Sequence, residues 1–244
     1  MGARQIFEIT GADRVSFLQG LVSNDLRKLA QGPIYAALLT PQGKFLADFF
    51  LIDAGEAVLL DTAAELADDL ARRLALYRLR ADVGITPSPR QVMRGTGPAP
   101  AGALPDPRHP AMGWRLYGPK AGDDGTDWKE VRVEHLIPEA GAELIANESY
   151  ILEAGFERIN GVDFRKGCYV GQEVTARMKH KTELKKGLAR LRIEGAAPVG
   201  TPITAEGREV GTLGTQSGGR ALAMVRFDRV VGEMQAGTAR LAPE

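Results

Sequence analysis

The segment between residues 160 and 177 holds the residues whose types and spacing are best suited to chemistry. Its centre reads Lys-Gly-Cys-Tyr-Val-Gly-Gln-Glu, from Lys166 to Glu173, and Cys168 is the single cysteine of the chain. Cations precede the thiol, and the apolar spacing after it predicts a helix that begins directly there. Both features favour a thiolate, so we expect Cys168 to be accessible and reactive. The alternative is an inert cysteine packed in the core.

The cysteine and histidine content excludes several kinds of site. One cysteine cannot form an intramolecular disulfide or a cysteine-rich zinc or iron–sulfur site within the chain. The three histidines, at positions 109, 135 and 180, are scattered, so we expect no metal site. A lone thiol fits a reducing compartment, and the N-terminal residues lack an apolar signal core. We therefore expect a cytoplasmic protein with no membrane partner.

The overall composition is that of an ordinary globular protein. Hydrophobic residues make up 44% of the 244 residues and charged residues make up 25%. Lysine plus arginine equals aspartate plus glutamate, at 31 each, so the formal net charge is zero. A globally basic nucleic-acid-binding protein is therefore not indicated, and we expect nucleic acid to be an unlikely partner.

The elements that must position this segment begin with a compact α+β unit that ends near residue 90. Patterns at residues 10–21 and 23–29 predict two short helices. Strands are predicted at 35–40, 45–52 and 58–60, with a hairpin turn at 41–44. A capping box from Thr62 to Glu65 predicts the start of a longer helix, and a strand follows at 82–85. Residues 95–111 hold five of the fourteen prolines and predict a loop without regular structure.

The second half of the chain changes its periodicity. Residues 131–137 predict a helix, and residues 150–152 are typical of a strand. After residue 185 apolar and polar residues alternate, and further strands are predicted around 208–215 and 220–227. This tail predicts a small antiparallel β barrel or sandwich.

The segment from Lys166 to Glu173 resembles the K-G-C-Y-x-G-Q-E signature of the YgfZ-type folate-binding proteins. That family is related to the mitochondrial iron–sulfur assembly factor and to the glycine-cleavage T-protein, an aminomethyltransferase. Supporting matches lie at residues 17–20, 23–25, 106–115 and 137–139. The resemblance therefore covers nearly the whole chain.

The resemblance implies an α+β fold of three small domains in a ring around a folate-binding channel. Residues 1–33 and 113–184 would form the folate-binding α+β domain that carries the motif. Residues 34–112 would form a ferredoxin-like α+β domain with the proline-rich loop. Residues 185–244 would form a C-terminal antiparallel β barrel.

The resemblance also implies a set of site residues. A glutamate in the family's Leu-Glu-Ala-Gly stretch recognises the pterin, which points to Glu153, although a solvated strand-end residue is the alternative. The other implied cofactor-binding residues are Tyr169, Arg177 and Asp48. Cys168 and Asp48 are the candidates for a catalytic role. The implied motif residues are Lys166, Gly167, Cys168, Tyr169, Gly171, Gln172 and Glu173.

One departure from the T-proteins bears on activity. Those enzymes carry an Asp-Asp pair on the strand after the hairpin, whereas this chain has Ala47 followed by Asp48. Adjacent strand residues point to opposite faces, and the sequence alone does not say which acid is missing. The departure argues against aminomethyl transfer and favours a role other than that of an enzyme.

Two further features leave alternatives open. A basic cluster follows the motif and is either a solvated face or a surface that attracts anions, such as a folate tail or RNA. Its members are Arg177, Lys179, His180, Lys181, Lys185 and Lys186. Trp114 and Trp128 are expected to pack in the core.

The resemblance thus implies a tetrahydrofolate-binding auxiliary protein for maturation or repair of iron–sulfur enzymes. Its cofactor would be tetrahydrofolate or a derivative, and its partners would be iron–sulfur proteins or their assembly machinery. One thiol cannot hold a cluster alone, because such clusters normally have four protein ligands. The alternatives are a tetrahydrofolate-dependent aminomethyl or C1 transferase that uses Asp48, and a folate protein related to tRNA modification.

Overall fold

The computed structural model describes residues 2–181, 183–230 and 232–244, which fall into two compact units. The first unit comprises Met1–Thr126 and Glu157–Val174, and the second comprises Asp127–Phe156 and Thr175–Glu244. Both contain helices and strands, so the predicted α+β class is confirmed. The predicted division into three domains, and their arrangement as a ring, stay predictions.

The first unit is built on a five-stranded antiparallel sheet in the order β2-β3-β4-β1-β5. The strands are β1 (Arg4–Thr10), β2 (Ile34–Leu39), β3 (Phe45–Asp53), β4 (Val58–Ala63) and β5 (Gly84–Pro87). The predicted hairpin between β2 and β3 is confirmed, and the Thr40 N–H donates to the Lys44 carbonyl over 2.8 Å. Sequence analysis missed β1, which pairs with both β4 and β5.

Helices cover one face of this sheet and create an apolar core. They are α1 (Arg14–Gln19), a 3₁₀ helix (Leu26–Gln31) and α2 (Ala64–Arg78). Buried members of this core include Phe7, Ile9, Leu18, Ala36, Leu38, Ala47, Phe49, Leu51, Leu60, Leu70 and Leu74. The predicted capping box is wrong, because β4 continues through Thr62. The Thr62 hydroxyl donates to the Asp48 carbonyl over 2.9 Å, so it is not available as a helix cap.

A second, smaller sheet in the first unit has the strand order β7-β8-β6-β9. Its strands are β6 (Gln91–Gly95), β7 (Leu104–Pro105), β8 (Trp114–Gly118) and β9 (Gly122–Asp123). The expectation that residues 95–111 lack regular structure is therefore wrong in part. Strand β7 lies within that stretch, and the 3₁₀ turn Pro110–Met112 begins there.

The second unit contains helix α3 (Trp128–His135) and a closed six-stranded barrel in the order β10-β13-β12-β11-β14-β15. The barrel strands are β10 (Lys186–Glu194), β11 (Pro202–Ala205), β12 (Arg208–Ser217), β13 (Arg220–Arg226), β14 (Met234–Ala236) and β15 (Ala239–Pro243). The predicted C-terminal antiparallel barrel is thus confirmed. The predicted strand at 150–152 is wrong, because residues 151–156 form turns. There the Ala154 N–H donates to the Tyr150 carbonyl over 3.2 Å.

Helix α4 (Gln172–Lys181) follows the motif. Among the residues that the structure describes, none of the helices has the length and apolar character needed to cross a membrane.

Candidate functional site

The motif segment is anchored at its start by a buried lysine. The Lys166 ammonium donates to the backbone carbonyls of Gln19, over 2.7 Å, and of Val22. It also lies 4.9 Å from the centroid of the Tyr169 ring, a cation–π contact. Burial lowers the pKa of Lys166 to about 8. The lysine therefore ties the motif to the end of α1 and to the residues that follow it.

The Ser23-Asn24 stretch holds the chain just before the motif. The Ser23 hydroxyl donates to the Gly161 carbonyl over 2.6 Å. The Asn24 amide donates to the carbonyls of Asn160, over 2.7 Å, and of Tyr35, over 2.8 Å. These two polar residues are buried, and their hydrogen bonds satisfy backbone groups that would otherwise be unpaired.

The end of the motif packs tightly against the β2–β3 turn. Gly171 has a φ of +81°, and a Cβ there would lie 2.5 Å from the Thr40 carbonyl oxygen. Gly43 in the turn has a φ of +76°, and a Cβ there would lie 2.9 Å from the Val174 Cβ. Both the backbone conformation and the close approach require glycine at these positions.

Cys168 lies between these two anchored points and is exposed as a free cysteine. Its predicted accessibility is confirmed, and its predicted reactivity stays a prediction. The expectation that a helix begins directly after it is wrong, because α4 begins at Gln172. The segment between them is irregular, since Gly171 must adopt a left-handed conformation to reach the β2–β3 turn. We refer to residues 160–171 as the motif loop.

A buried acid lies on the same hairpin that receives the motif loop. Asp48 on β3 is 7% exposed, and its Oδ2 accepts a 2.8 Å hydrogen bond from the Tyr35 hydroxyl. Its Oδ1 is buried and has no hydrogen-bond partner among the described residues. Burial raises the pKa of Asp48, against the opposing effects of Arg4, the Tyr35 hydroxyl and Arg108. Asp48 therefore binds its proton more tightly in the folded protein than an exposed aspartate does.

The structure answers the question that the Ala47-Asp48 pair leaves open. Ala47 is packed in the apolar core beneath the helices. Asp48 points to the opposite face of the sheet, where its carboxyl contacts Tyr35. The acid on the polar face is thus present, and the alanine replaces a residue on the core side.

The polar face carries a set of paired charges that sequence analysis assigned no role. We call it the buried charged layer, and its members are Arg4, Asp61, Asp106, Arg108, Arg115 and Tyr117. The Arg115 guanidinium pairs with Asp61 and lies 3.8 Å from the centroid of the Phe50 ring. Arg108 pairs with Asp106 over 2.8 Å and lies 4.8 Å from the same centroid.

The pKa values of the carboxyl groups on this face shift in opposite directions, according to the balance between burial and the neighbouring arginines. For Asp61 burial alone would raise the pKa, but Arg4 and Arg115 outweigh burial and lower it. For Asp106 the same balance holds, and Arg108 and Arg115 lower its pKa. The Asp48 carboxyl instead contacts a neutral phenol, so burial prevails.

Glu153 lies in the second unit, at the edge of the barrel. Its carbonyl accepts a 2.8 Å hydrogen bond from the Leu188 N–H, so β10 fixes its backbone position. Glu153 lines two open grooves, one of about 590 Å³ and one of about 220 Å³. Lys186 borders both grooves, and Lys185 borders the larger one. Members of the predicted basic cluster therefore lie beside the predicted pterin-binding glutamate.

The other predicted site residues are placed as follows. Tyr169 is buried in the first unit beneath the Lys166 amine, whereas Arg177 is exposed on α4. The Lys181 side chain lies outside the described residues. Gly167 and Glu173 are exposed, and Gln172 is half-buried. No group of three or more His, Cys, Asp or Glu that suits a metal ion occurs within the described part of the chain.

Comparisons with known proteins agree with these features. The family model "CAF17, C-terminal beta-barrel domain" matches residues 185–244. The human protein named iron–sulfur cluster assembly factor IBA57, mitochondrial, is 30% identical, over 96% of this chain and 78% of its own length. The Neurospora crassa homologue is 31% identical, over 80% of this chain and 54% of its own length.

A solved structure shows the same fold. The glycine cleavage system aminomethyltransferase T from Bartonella henselae matches with a TM-score of 0.74 and 12% identity. The match covers 99% of this chain and 83% of that chain. It confirms the T-protein-like fold implied by the sequence resemblance.

The comparisons correct one expectation. The human and Neurospora relatives, and a mouse relative that is 28% identical, are all named as mitochondrial proteins. The expectation of a cytoplasmic protein is therefore wrong. It rested on a single cysteine and on the absence of an apolar signal core, and a reducing compartment is not unique to the cytoplasm.

Proposed function

The chain belongs to the family of IBA57 iron–sulfur cluster assembly factors, and from this premise we propose that it matures or repairs iron–sulfur proteins with a reduced folate bound. The motif loop would present Cys168 to a partner protein. The folate would be tetrahydrofolate or a derivative.

The presentation of Cys168 is the observation that carries this proposal. Lys166 and Gly171 hold the loop on either side of Cys168, and the thiol between them is exposed. A loop ordered in this way places a nucleophile or metal ligand at a fixed position on the surface. Because clusters normally have four protein ligands, Cys168 would supply one and the partner would supply the others.

The role of Cys168 is testable in a strain that lacks the gene. We expect Cys168→Ala to lower the activity of iron–sulfur enzymes relative to the unaltered chain. Because the thiol is exposed, this substitution should change the free energy of unfolding of the protein by less than about 0.5 kcal/mol. Glu56→Ala, at an exposed position in the turn between β3 and β4, is the control. Full restoration of enzyme activity by Cys168→Ala would refute a role for the thiol.

The larger groove beside Glu153 supports folate as the ligand. It is bordered by Lys185 and Lys186, whose positive charges attract the carboxylates of a folate tail. Glu153 would recognise the pterin, because a carboxylate accepts paired N–H donors. When bound, the folate supplies one-carbon carrier chemistry, and this chain's residues orient it.

Folate binding is measurable by titration of tetrahydrofolate into the purified chain. Loss of a charge-assisted hydrogen bond in Glu153→Gln should weaken the binding free energy by about 1.5–3 kcal/mol. Glu148→Gln is the matched control, because Glu148 borders only the smaller of the two Glu153 grooves. Equal affinities for both variants would remove Glu153 from the site.

Aminomethyl transfer is the second candidate function, and the position of Asp48 favours it. The acid faces the buried charged layer and burial raises its pKa. A carboxyl group with a raised pKa is suited to general acid–base catalysis. We nevertheless expect the purified chain to show no appreciable transfer from a lipoyl carrier to tetrahydrofolate. Robust transfer that falls about 10²–10⁴-fold in Asp48→Asn would favour the enzyme over the assembly factor.

A further inference from the structure

The C-terminal end of α2 exposes large apolar side chains. Leu76 is 73% exposed, Leu79 is 88% exposed and Tyr77 is 39% exposed. These three residues lie within four positions of the chain, and we call residues 76–80 the α2 tip. Isolated exposed apolar residues are common on surfaces, but a contiguous group indicates an interaction site.

The fold does not require these side chains. Ala67, Leu70 and Leu74 form the face of α2 that is buried against the sheet. Leu79 has a φ of +47° and a ψ of −105°, in the region that favours glycine. A leucine at this position is strained and contributes almost no burial, so its presence is not explained by packing.

The α2 tip is held in a defined position by the turn that follows it. The Ala81 N–H donates to the Arg78 carbonyl over 2.8 Å. The Asp82 N–H donates to the Asp13 carboxylate over 2.9 Å, and the Asp13 N–H donates to the Asp82 carbonyl over 3.2 Å. The exposed leucines therefore project from a fixed turn.

Charge around the α2 tip indicates the chemistry of its partner. The α2 tip contains Arg78 and Arg80 and no acid, whereas Asp68 and Asp69 lie earlier on α2 and Asp82 follows the tip. Asp69 pairs with both Arg72 and Arg73. The tip is thus apolar at its centre and positively charged at its border. Tyrosine and arginine are also residue types enriched at interaction hot spots.

We propose that the α2 tip docks a partner protein whose surface offers an apolar pocket bordered by carboxylates. This inference rests on the proposed function, since an assembly factor must engage other proteins. A second copy of this chain fits less well, because two tips would bring like charges together. A lipid surface also fits less well, because so few apolar side chains give only weak membrane binding.

The strain at Leu79 allows a test that separates docking from folding. Leu79→Gly removes the exposed side chain and relieves the backbone, so the unfolding midpoint should stay unchanged or rise. Activity of iron–sulfur enzymes in the complemented deletion strain should nevertheless fall about tenfold. Val15→Ser, at a position 44% exposed on α1, should restore activity fully. Full restoration by Leu79→Gly would overturn the proposal.

A photo-cross-linking amino acid at position 76 tests the kind of partner. We expect one discrete protein adduct in cells. The adduct should be lost in the double variant Arg78→Glu/Arg80→Glu, and it should be kept in Arg78→Lys/Arg80→Lys, which preserves the positive charges. An adduct that persists after charge reversal would overturn the carboxylate requirement. If the protein sediments with phosphatidylglycerol vesicles and Leu79→Gly does not, the partner is a membrane and the proposal is overturned. If the protein forms a dimer that Leu79→Gly abolishes, the partner is a second copy and the proposal is likewise overturned.

Failure of this proposal is distinguishable from failure of the proposed function. If the unaltered chain does not restore iron–sulfur enzymes, the proposed function fails, and cross-linking at position 76 still decides whether the tip docks a protein. If the unaltered chain restores activity and Leu79→Gly does so equally, only the docking surface is refuted.

Discussion

The interior of the C-terminal barrel and the five-stranded sheet of the first unit bury different kinds of residue. Charge is buried in the second unit only beside the barrel, where the Arg132–Glu143 pair contacts Thr215 of β12 in the described part of the chain. The barrel core consists of apolar side chains such as Ile203, Leu213 and Met234. The sheet has one comparable apolar face, under its helices. Its other face carries Asp48, Asp61 and the rest of the buried charged layer.

The difference shows where the burial of side chains is not explained by apolar packing. Charged groups lose hydration when buried, and replacing a buried ion pair with apolar residues is often neutral or stabilising. Stability alone therefore does not explain the buried charged layer. The layer keeps Asp61 ionised and leaves Asp48 with a raised pKa on the same face. We interpret the barrel as a scaffold and the polar face of the sheet as a site that controls protonation.

The largest expected effect comes from breaking one buried ion pair. Arg115→Met roughly conserves volume but leaves Asp61 without one of its two arginines and removes a cation from Asp106. An uncompensated buried charge typically costs about 3–5 kcal/mol of the free energy of unfolding. The matched change in the barrel, Leu213→Met, should cost less than about 1.5 kcal/mol.

The two tryptophans allow each unit to be followed separately during unfolding in urea. Trp114 reports on the first unit in a Trp128→Phe background, and Trp128 reports on the second unit in a Trp114→Phe background. Arg115→Met should shift the Trp114 transition and leave the Trp128 transition in place. Equal losses for Arg115→Met and Leu213→Met would remove the distinction between the two regions.

A smaller effect is expected where the motif loop meets the β2–β3 turn. Gly171→Ala would place a Cβ 2.5 Å from the Thr40 carbonyl oxygen in a left-handed conformation. We expect a loss of about 1–3 kcal/mol from the first unit. Gly207→Ala is the control, because Gly207 has a φ of +74° in the barrel but open space around it. If both variants lose the same free energy of unfolding, the backbone strain of an alanine at positive φ explains the loss. The motif loop would then not be packed tightly against the β2–β3 turn.

Local patterns predicted much of the fold. Alternation and turn residues located β2, β3 and the barrel, because those strands have one buried face and short connections. The strands β1 and β6 to β9 were missed. Strands β6 to β9 are short or lie next to proline-rich stretches, whereas β1 has seven residues and is stabilised by pairing with the distant strands β4 and β5. The Thr62 capping box failed for a similar reason, since its hydroxyl binds a neighbouring strand.

The roles of the candidate site residues stay predictions, and most of these residues were chosen with the help of the family resemblance. Residue type and motif identified Cys168, Asp48 and Glu153. The sequence did not reveal that Asp48 faces arginines and a buried phenol, because Arg108 and Arg115 follow it by about sixty residues. The stretch 106–115 matched the family motif, and that match was the available signal. The position of Asp106, Arg108 and Arg115 in the buried charged layer became visible only from the side-chain contacts.

The smallest expected effect is a gain in stability with Asp48→Asn, and it depends on pH. The folded-state pKa of Asp48 is raised, so the folded state holds this proton more tightly than the unfolded chain does. Stability of the unaltered protein is thus lost as pH rises from about 4 through the folded-state pKa. Asparagine cannot ionise and can still accept the Tyr35 hydrogen bond. We expect Asp48→Asn to be more stable by about 1 kcal/mol at pH 7 and equal near pH 4.

An exposed acid of the barrel gives the opposite sign and completes the comparison. The side-chain hydrogen bond from Arg226 lowers the pKa of Asp228, so this carboxylate adds stability above about pH 4 and loses it in acid. Asp228→Asn should therefore lower stability at neutral pH and have no effect in acid. Urea unfolding of both variants between pH 4 and 7, read by Trp114 and Trp128 respectively, measures the two slopes. A loss of stability in Asp48→Asn that grows with pH would mean that the folded-state pKa of Asp48 is lowered rather than raised. The polar face of the sheet would then be an ordinary network of salt bridges.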